Sequence, residues 1–170
     1  MRFKPDMYKK NIYEINYEKL KKMGIKYLFF DVDNTLFSYL ESKPTKENKE
    51  LFNKLKKMGF ECFLFSNSHD RRIKPLSEHL NVKVYTKSMK PLKKNYKKVL
   101  KLHKREECAF IGDQIMTDVI GAKRNGFFVI FIDKIHEYEP IYTKFWRFFE
   151  GIILKKYEKE NIFVKGRYYE

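Results

Sequence analysis

A chain of 170 residues has room for one domain with a sizeable core, and its 43% hydrophobic and 17% aromatic content excludes a disordered chain. Lysine and arginine number 37 against 22 acids, a formal charge of +15 that attracts polyanions: nucleic acid, an anionic membrane face or acidic substrates. The longest purely apolar run, Phe127 to Ile132, is too short to span a bilayer, and the N-terminal residues lack the apolar stretch of a secretory signal.

Residues 1–24 read as a polar arm followed by a short helix, Tyr17 to Met23, stopped by Gly24. Lys26 to Phe30 is the first strand. Leu51, Phe52, Leu55 and Met58 are spaced for one face of a helix over Lys46 to Met58, with Gly59 as its stop. Phe60 to Phe65 is a second strand, followed by a helix near Arg71 to His79 and a short strand at Val82 to Tyr85. Leu92, Tyr96, Val99, Leu100 and His103 predict an inward face on a helix over Leu92 to His103. Cys108 to Ile111 is a strand, Thr117 to Asn125 a helix ended by Gly126, and Phe127 to Ile132 the last strand. Pro140 opens a final helix to about Lys159, so residues 140–170 form an amphipathic helix and tail. Cys62 and Cys108 each lie in an apolar strand-like run, which predicts buried reduced thiols and a cytoplasmic or similarly reducing location.

No repeat, low-complexity tract or flexible linker divides the chain, so residues 1–170 read as one domain. Five strands alternating with helices predict an α/β fold: a Rossmann-like, doubly wound, mostly parallel sheet with helices on both faces. Such sheets bind ligands beyond the carboxyl ends of their strands. Asp31 and Asp33, Ser66, and Asp113 all fall at such ends, and apolar runs with turn residues alone place those strands.

These residues suit phosphate chemistry. A carboxylate can attack phosphorus and split one difficult step into two through an aspartyl-phosphate. Asp31 is the candidate nucleophile and Asp33 the acid and base, since residues i and i+2 of an extended segment point the same way. Crowded carboxylates repel one another unless a hard cation sits among them, and Mg2+ prefers oxygen ligands. Asp31 and Asp113 would hold it by side chain and Asp33 by its backbone carbonyl, with Asp118 orienting a metal-bound water or Lys90. Ser66 and Asn67, in the loop Ser66-Asn67-Ser68, and Lys90 would bind the phosphoryl oxygens, while Thr35 braces the turn carrying the aspartates. Each fragment alone also has an ordinary meaning as a turn, a cap or a helix start. Their joint order, each behind its strand, points to phosphoryl transfer.

The set Asp31-x-Asp33-x-Thr35, Ser66, Lys90 and Gly112-Asp113 with Asp118 resembles the haloacid dehalogenase superfamily of phosphatases. Within it the chain is similar to the YqeG-like subclass IIIA branch, itself similar to mitochondrial phosphatidylglycerophosphatase. The likeness runs from about Lys4 to Glu150 and includes Tyr8 to Ile15, Gly112 to Val119 and Arg124-Asn125-Gly126. It implies a Rossmann-like sheet, Mg2+, phosphomonoester hydrolysis and, for the branch, removal of the terminal phosphate of phosphatidylglycerophosphate.

The stretches from Asp33 to Ser66 and from Ser66 to Lys90 are nearly filled by the sheet's own elements, which leaves no room for a large cap domain. An open site suits a phosphate presented on something large, such as a lipid headgroup. Lys93, Lys97, Lys101 and Lys104 make a basic stripe. In the last helix Lys144, Arg147, Gly151, Lys155 and Glu158 make a narrow polar stripe, and Phe145, Trp146, Phe148, Phe149, Ile152 and Ile153 make the rest apolar. That helix either packs on its own sheet or lies at an anionic membrane surface, which would make the protein peripheral to the membrane. The alternatives are hydrolysis of a soluble phosphomonoester such as a nucleotide or sugar phosphate, or of a phosphoprotein, and a non-catalytic polyanion or RNA binder. A signalling receiver domain, which also uses an aspartyl-phosphate, would carry its accepting aspartate on a later strand, where this chain has Ser66.

Overall fold

A computed structural model describes residues 3–38, 40–41, 43–137 and 141–170, with the backbone alone for 141–146. Six strands form one parallel sheet: β1 (Met7–Lys9), β2 (Tyr27–Phe30), β3 (Glu61–Phe65), β4 (Lys83–Tyr85), β5 (Cys108–Gly112) and β6 (Phe128–Ile132), in the order β1-β6-β5-β2-β3-β4. The helices are α1 (Tyr17–Lys22), α2 (Lys46–Lys57), α3 (Asp70–Leu80), α4 (Lys93–Leu100), α5 (Ile120–Lys123) and α6 (Ile141–Lys159). No large cap interrupts this alternation among the described residues.

The sheet has one strand more than the sequence predicts. Residues 7–9 are too few to show a period, but Met7 and Tyr8 are fully buried and pair with Ile130 and Phe131. The Asp6 carboxylate anchors the strand by accepting the Val129 N–H at 2.7 Å.

Every central strand is buried on both faces, as expected of a covered parallel sheet. Leu28, Phe30, Leu64 and Ile111 pack with Leu51, Leu55, Ile73 and Leu76 under α2 and α3. Phe29, Phe63, Phe65 and Phe110 pack on the other face with Tyr96, Val99 and Val119 under α4 and α5. Cys62 and Cys108 are free and buried. Leu92 departs from its expected inward position: it stands at the N-cap of α4 and is exposed, because the helix starts one residue after it.

The last helix also faces differently from its polar pattern. Arg147 and Glu150 turn inward with Leu154 and Tyr157, while Phe148, Phe149 and Ile152 face solvent. The inward pair answers a buried carboxylate, described below. Pro140 and the side chains of Lys144, Phe145 and Trp146 lie outside the described residues.

The chain runs from β2 outward to β3 and β4, then returns to the opposite side of β2 with β5 and β6. The order therefore reverses between β2 and β5, the place where open α/β sheets form their crevice. Phe30 pairs with Ile111, so Asp31 and Asp113 leave neighbouring strands at nearly the same level.

Candidate active site

Asp31 follows β2 directly and its N–H still donates to the Ile111 carbonyl at 2.9 Å, which extends the ladder by one residue. The chain then doubles back: the Asn34 N–H donates to the Phe37 carbonyl at 2.7 Å, and Asn34 takes φ 64°, a left-handed position asparagine tolerates. The N-terminus of α2 braces this turn. Thr45 and Asn48 form a reciprocal cap, and the Asn48 amide donates to the Leu36 carbonyl at 3.3 Å.

Beyond β5, residues Ile115–Val119 form one wide π-turn in place of the first turn of the predicted helix. Such turns frequently occur at functional sites. This one carries Asp118 back toward Asp113, where the Gln114 N–H donates to its Oδ2 at 3.1 Å. Gly112 makes the approach feasible: a Cβ there would lie 2.6 Å from the Asp118 Cγ.

Carboxylate oxygens of Asp31, Asp113 and Asp118 lie within 4.8 Å of one another, all buried. Lys90 enters from the β4–α4 loop, and its Nζ lies 2.5 Å from Asp31 Oδ1 and 2.7 Å from Asp118 Oδ1. Thr35 Oγ1 donates to Asp113 Oδ1 at 3.0 Å, tying the β2 loop to the β5 loop. Asn67 shapes the lysine loop: its Oδ1 accepts from Ser88 Oγ and from the Lys90 N–H, both at 2.7 Å. Its Nδ2 donates to the Lys90 carbonyl at 3.2 Å. The Asn67 side chain thus serves Lys90, whereas the sequence assigns this residue to the substrate phosphate. Ser66 is buried beside it and accepts the Ser68 N–H at 3.0 Å, which leaves its hydroxyl proton available.

Asp33 stands apart from the three clustered carboxylates. Its Oδ2 accepts from Ser68 Oγ at 2.7 Å and its Oδ1 from Arg72 Nε at 2.8 Å, so it sits at the solvent rim. Asp118, expected as an orienting group, brings its own carboxylate into the cluster.

Two basic residues at the site escape the sequence reading. Arg72 lies on α3 among ordinary surface charges. Arg147 looks like part of a solvated stripe, yet its Nη2 binds Asp113 Oδ2, and its Nη1 donates to the Asp113 carbonyl at 2.8 Å and to Glu150 Oε2 at 2.9 Å. Glu150 is itself buried and accepts the Ile115 N–H at 3.2 Å. A charged pair three residues apart on an apolar helix is the one sequence signal for them.

Burial pushes the Asp31 carboxyl well above its ordinary range, with Asp118, Asp113 and Asp33 adding to the effect and Lys90 opposing it. Burial likewise raises Asp113 to about 6, against the opposing charge of Arg147. Burial disfavours the Lys90 ammonium, but Asp118 and Asp31 more than offset this and hold the proton above the usual lysine range. Three buried carboxylates beside a lysine are crowded with negative charge. They offer hard oxygen donors at a spacing that fits a divalent cation.

A doubly wound parallel sheet with paired aspartates behind its first core strand, a serine behind the next, a lysine, and acids behind the fourth defines a phosphoryl-transfer hydrolase. The sequence profile of the haloacid dehalogenase-like hydrolases matches residues 4–126, and the chain belongs to that family. It is 34% identical over 161 residues to the Bacillus subtilis protein named "Probable phosphatase YqeG", covering 94% of each chain. It is 26% identical to phosphatidylglycerophosphate phosphatase 1, chloroplastic/mitochondrial, of Arabidopsis thaliana, over 93% of this chain and 49% of that one, about half its length. Among solved structures, the cobalt-bound deoxy-D-mannose-octulosonate 8-phosphate phosphatase of Haemophilus influenzae shares the fold, with a TM-score of 0.53 and 16% identity over 85% of this chain and 95% of that one.

Proposed function

We propose that this phosphatase is a Mg2+-dependent phosphomonoester hydrolase that works through an aspartyl-phosphate and acts on phosphatidylglycerophosphate at an anionic membrane surface. The observation that carries the chemistry is the meeting of Asp31, Asp113 and Asp118 at one crevice, with Lys90 on two of them. Asp31 attacks phosphorus in line with the leaving oxygen. Asp33 protonates that oxygen and then takes a proton from the water that cleaves the acyl phosphate. Arg72 and Ser68 aim Asp33 for both steps. Ser66 donates its hydroxyl proton to a phosphoryl oxygen. The Lys90 ammonium opposes the burial that disfavours ionised Asp31 and presents positive charge to the transferring group. Asp31, Asp113 and the Asp33 carbonyl would hold Mg2+, with Asp118 beside them. When bound, the ion neutralises phosphoryl oxygens and lowers the repulsion between the dianion and Asp31.

The lipid reading draws support from the Arabidopsis relative's name, from the absence of a cap among the described residues, and from α6. Phe148 is 68% exposed and Ile152 55%, one turn apart beside the site, on a chain of charge +15. No described helix is long and apolar enough to cross a membrane, so the proposed contact is interfacial.

The test is phosphate release from phosphatidylglycerophosphate in vesicles beside a panel of soluble phosphomonoesters, with and without Mg2+. Asp31→Asn keeps the shape and should lose at least about 10³ of the turnover. Full activity in that variant removes Asp31 from its role. A soluble ester hydrolysed faster than the lipid removes the lipid assignment alone.

A further inference from the structure

The Asp113 carboxylate is already occupied on both oxygens. Thr35 Oγ1 donates to Oδ1 at 3.0 Å, and the Arg147 guanidinium holds Oδ2 and the Asp113 carbonyl together. A divalent cation bound to the same carboxylate would stand a few ångströms from this guanidinium, in surroundings too buried for water to screen the repulsion. Arg147 has a second seat one helical turn away: Glu150 Oε2 already accepts from its Nη1 at 2.9 Å, and the Ile115 N–H fixes Glu150 in place.

We propose that Arg147 is a built-in competitor for the divalent cation at Asp113, which holds that carboxylate in the metal-free protein and retreats onto Glu150 when the ion binds. The inference rests on Asp113 being a metal ligand. It makes the C-terminal helix part of the metal site, although that helix lies beyond residues 4–126, where the family profile matches. Arg147 acts through Asp113 and is a positioning residue.

Calorimetric titration of the metal-free full chain with MgCl2, in phosphate-free buffer, tests it. Arg147→Met should bind Mg2+ roughly tenfold tighter than wild type, equivalent to about 1.4 kcal/mol. Its metal-free melting temperature should be lower, and the rise on adding Mg2+ larger than in wild type. Glu150→Gln weakens the alternative seat and should bind Mg2+ severalfold more weakly. Arg147→Met binding Mg2+ no tighter than wild type overturns the competition and leaves the metal site standing. If that variant does not fold, Glu150→Gln decides: unchanged or tighter binding overturns the proposal. A wild-type chain that binds no Mg2+ removes the metal site and the competition together.

Discussion

Lys90 bridges two buried carboxylates of the site, Asp31 and Asp118. It is buried, and its ammonium lies on both, opposing the burial that raises the Asp31 carboxyl. Lys90→Met leaves Asp31 and Asp118 unpaired in a buried setting, so stability should fall by about 3–5 kcal/mol, read by urea denaturation of the metal-free protein. The same crowding predicts a pH dependence. Asp113 is raised from an ordinary 3.8 to about 6, so between these values the folded protein holds more protons than the unfolded chain. Metal-free stability should therefore fall as pH climbs through that window, with Asp31 extending the trend in the same direction. A divalent cation favours the ionised carboxylates, so added Mg2+ should raise the melting temperature more at pH 7.5 than at pH 5.5. Equal increments at the two values would contradict this account.

At the scale of elements, the sequence was most legible where a short apolar run meets a polar turn. Asp31, Ser66 and Asp113 announce themselves because nothing in a buried strand explains a carboxylate or hydroxyl at its carboxyl end. Asp118 was visible as a residue, but its place in the cluster depends on a π-turn that leaves no mark on the hydrophobic period. Arg147 and Glu150 were hidden for the opposite reason. Helical patterning sorts residues by polarity, and a buried ion pair is polar, so the inward face looked like the outward one. The exposed face is then the apolar one, Phe148 and Ile152. Replacing both with serine should lower binding to anionic vesicles in a flotation assay and leave the circular dichroism spectrum unchanged. Undiminished binding would remove Phe148 and Ile152 from the proposed membrane contact.

For the whole molecule, alternation of apolar runs with helical patterns was enough to read a doubly wound parallel sheet, because burial on both faces forces continuous apolar strands. The sixth strand was not readable. Three residues cannot show a period, and β1 exists because β6 offers it a partner and Asp6 an anchor. That strand also lies at the rim of the sheet, and its outer side meets the end of the chain. Tyr8 and Tyr169 exchange both backbone hydrogen bonds in an antiparallel bridge, at 2.9 and 3.0 Å. The final residues thus work as a hem, stitched over a border that could otherwise zip onto a neighbouring molecule. Trimming the protein after Val164 should unpick that seam, and light scattering should then find larger species than the untrimmed 170-residue chain gives at equal concentration.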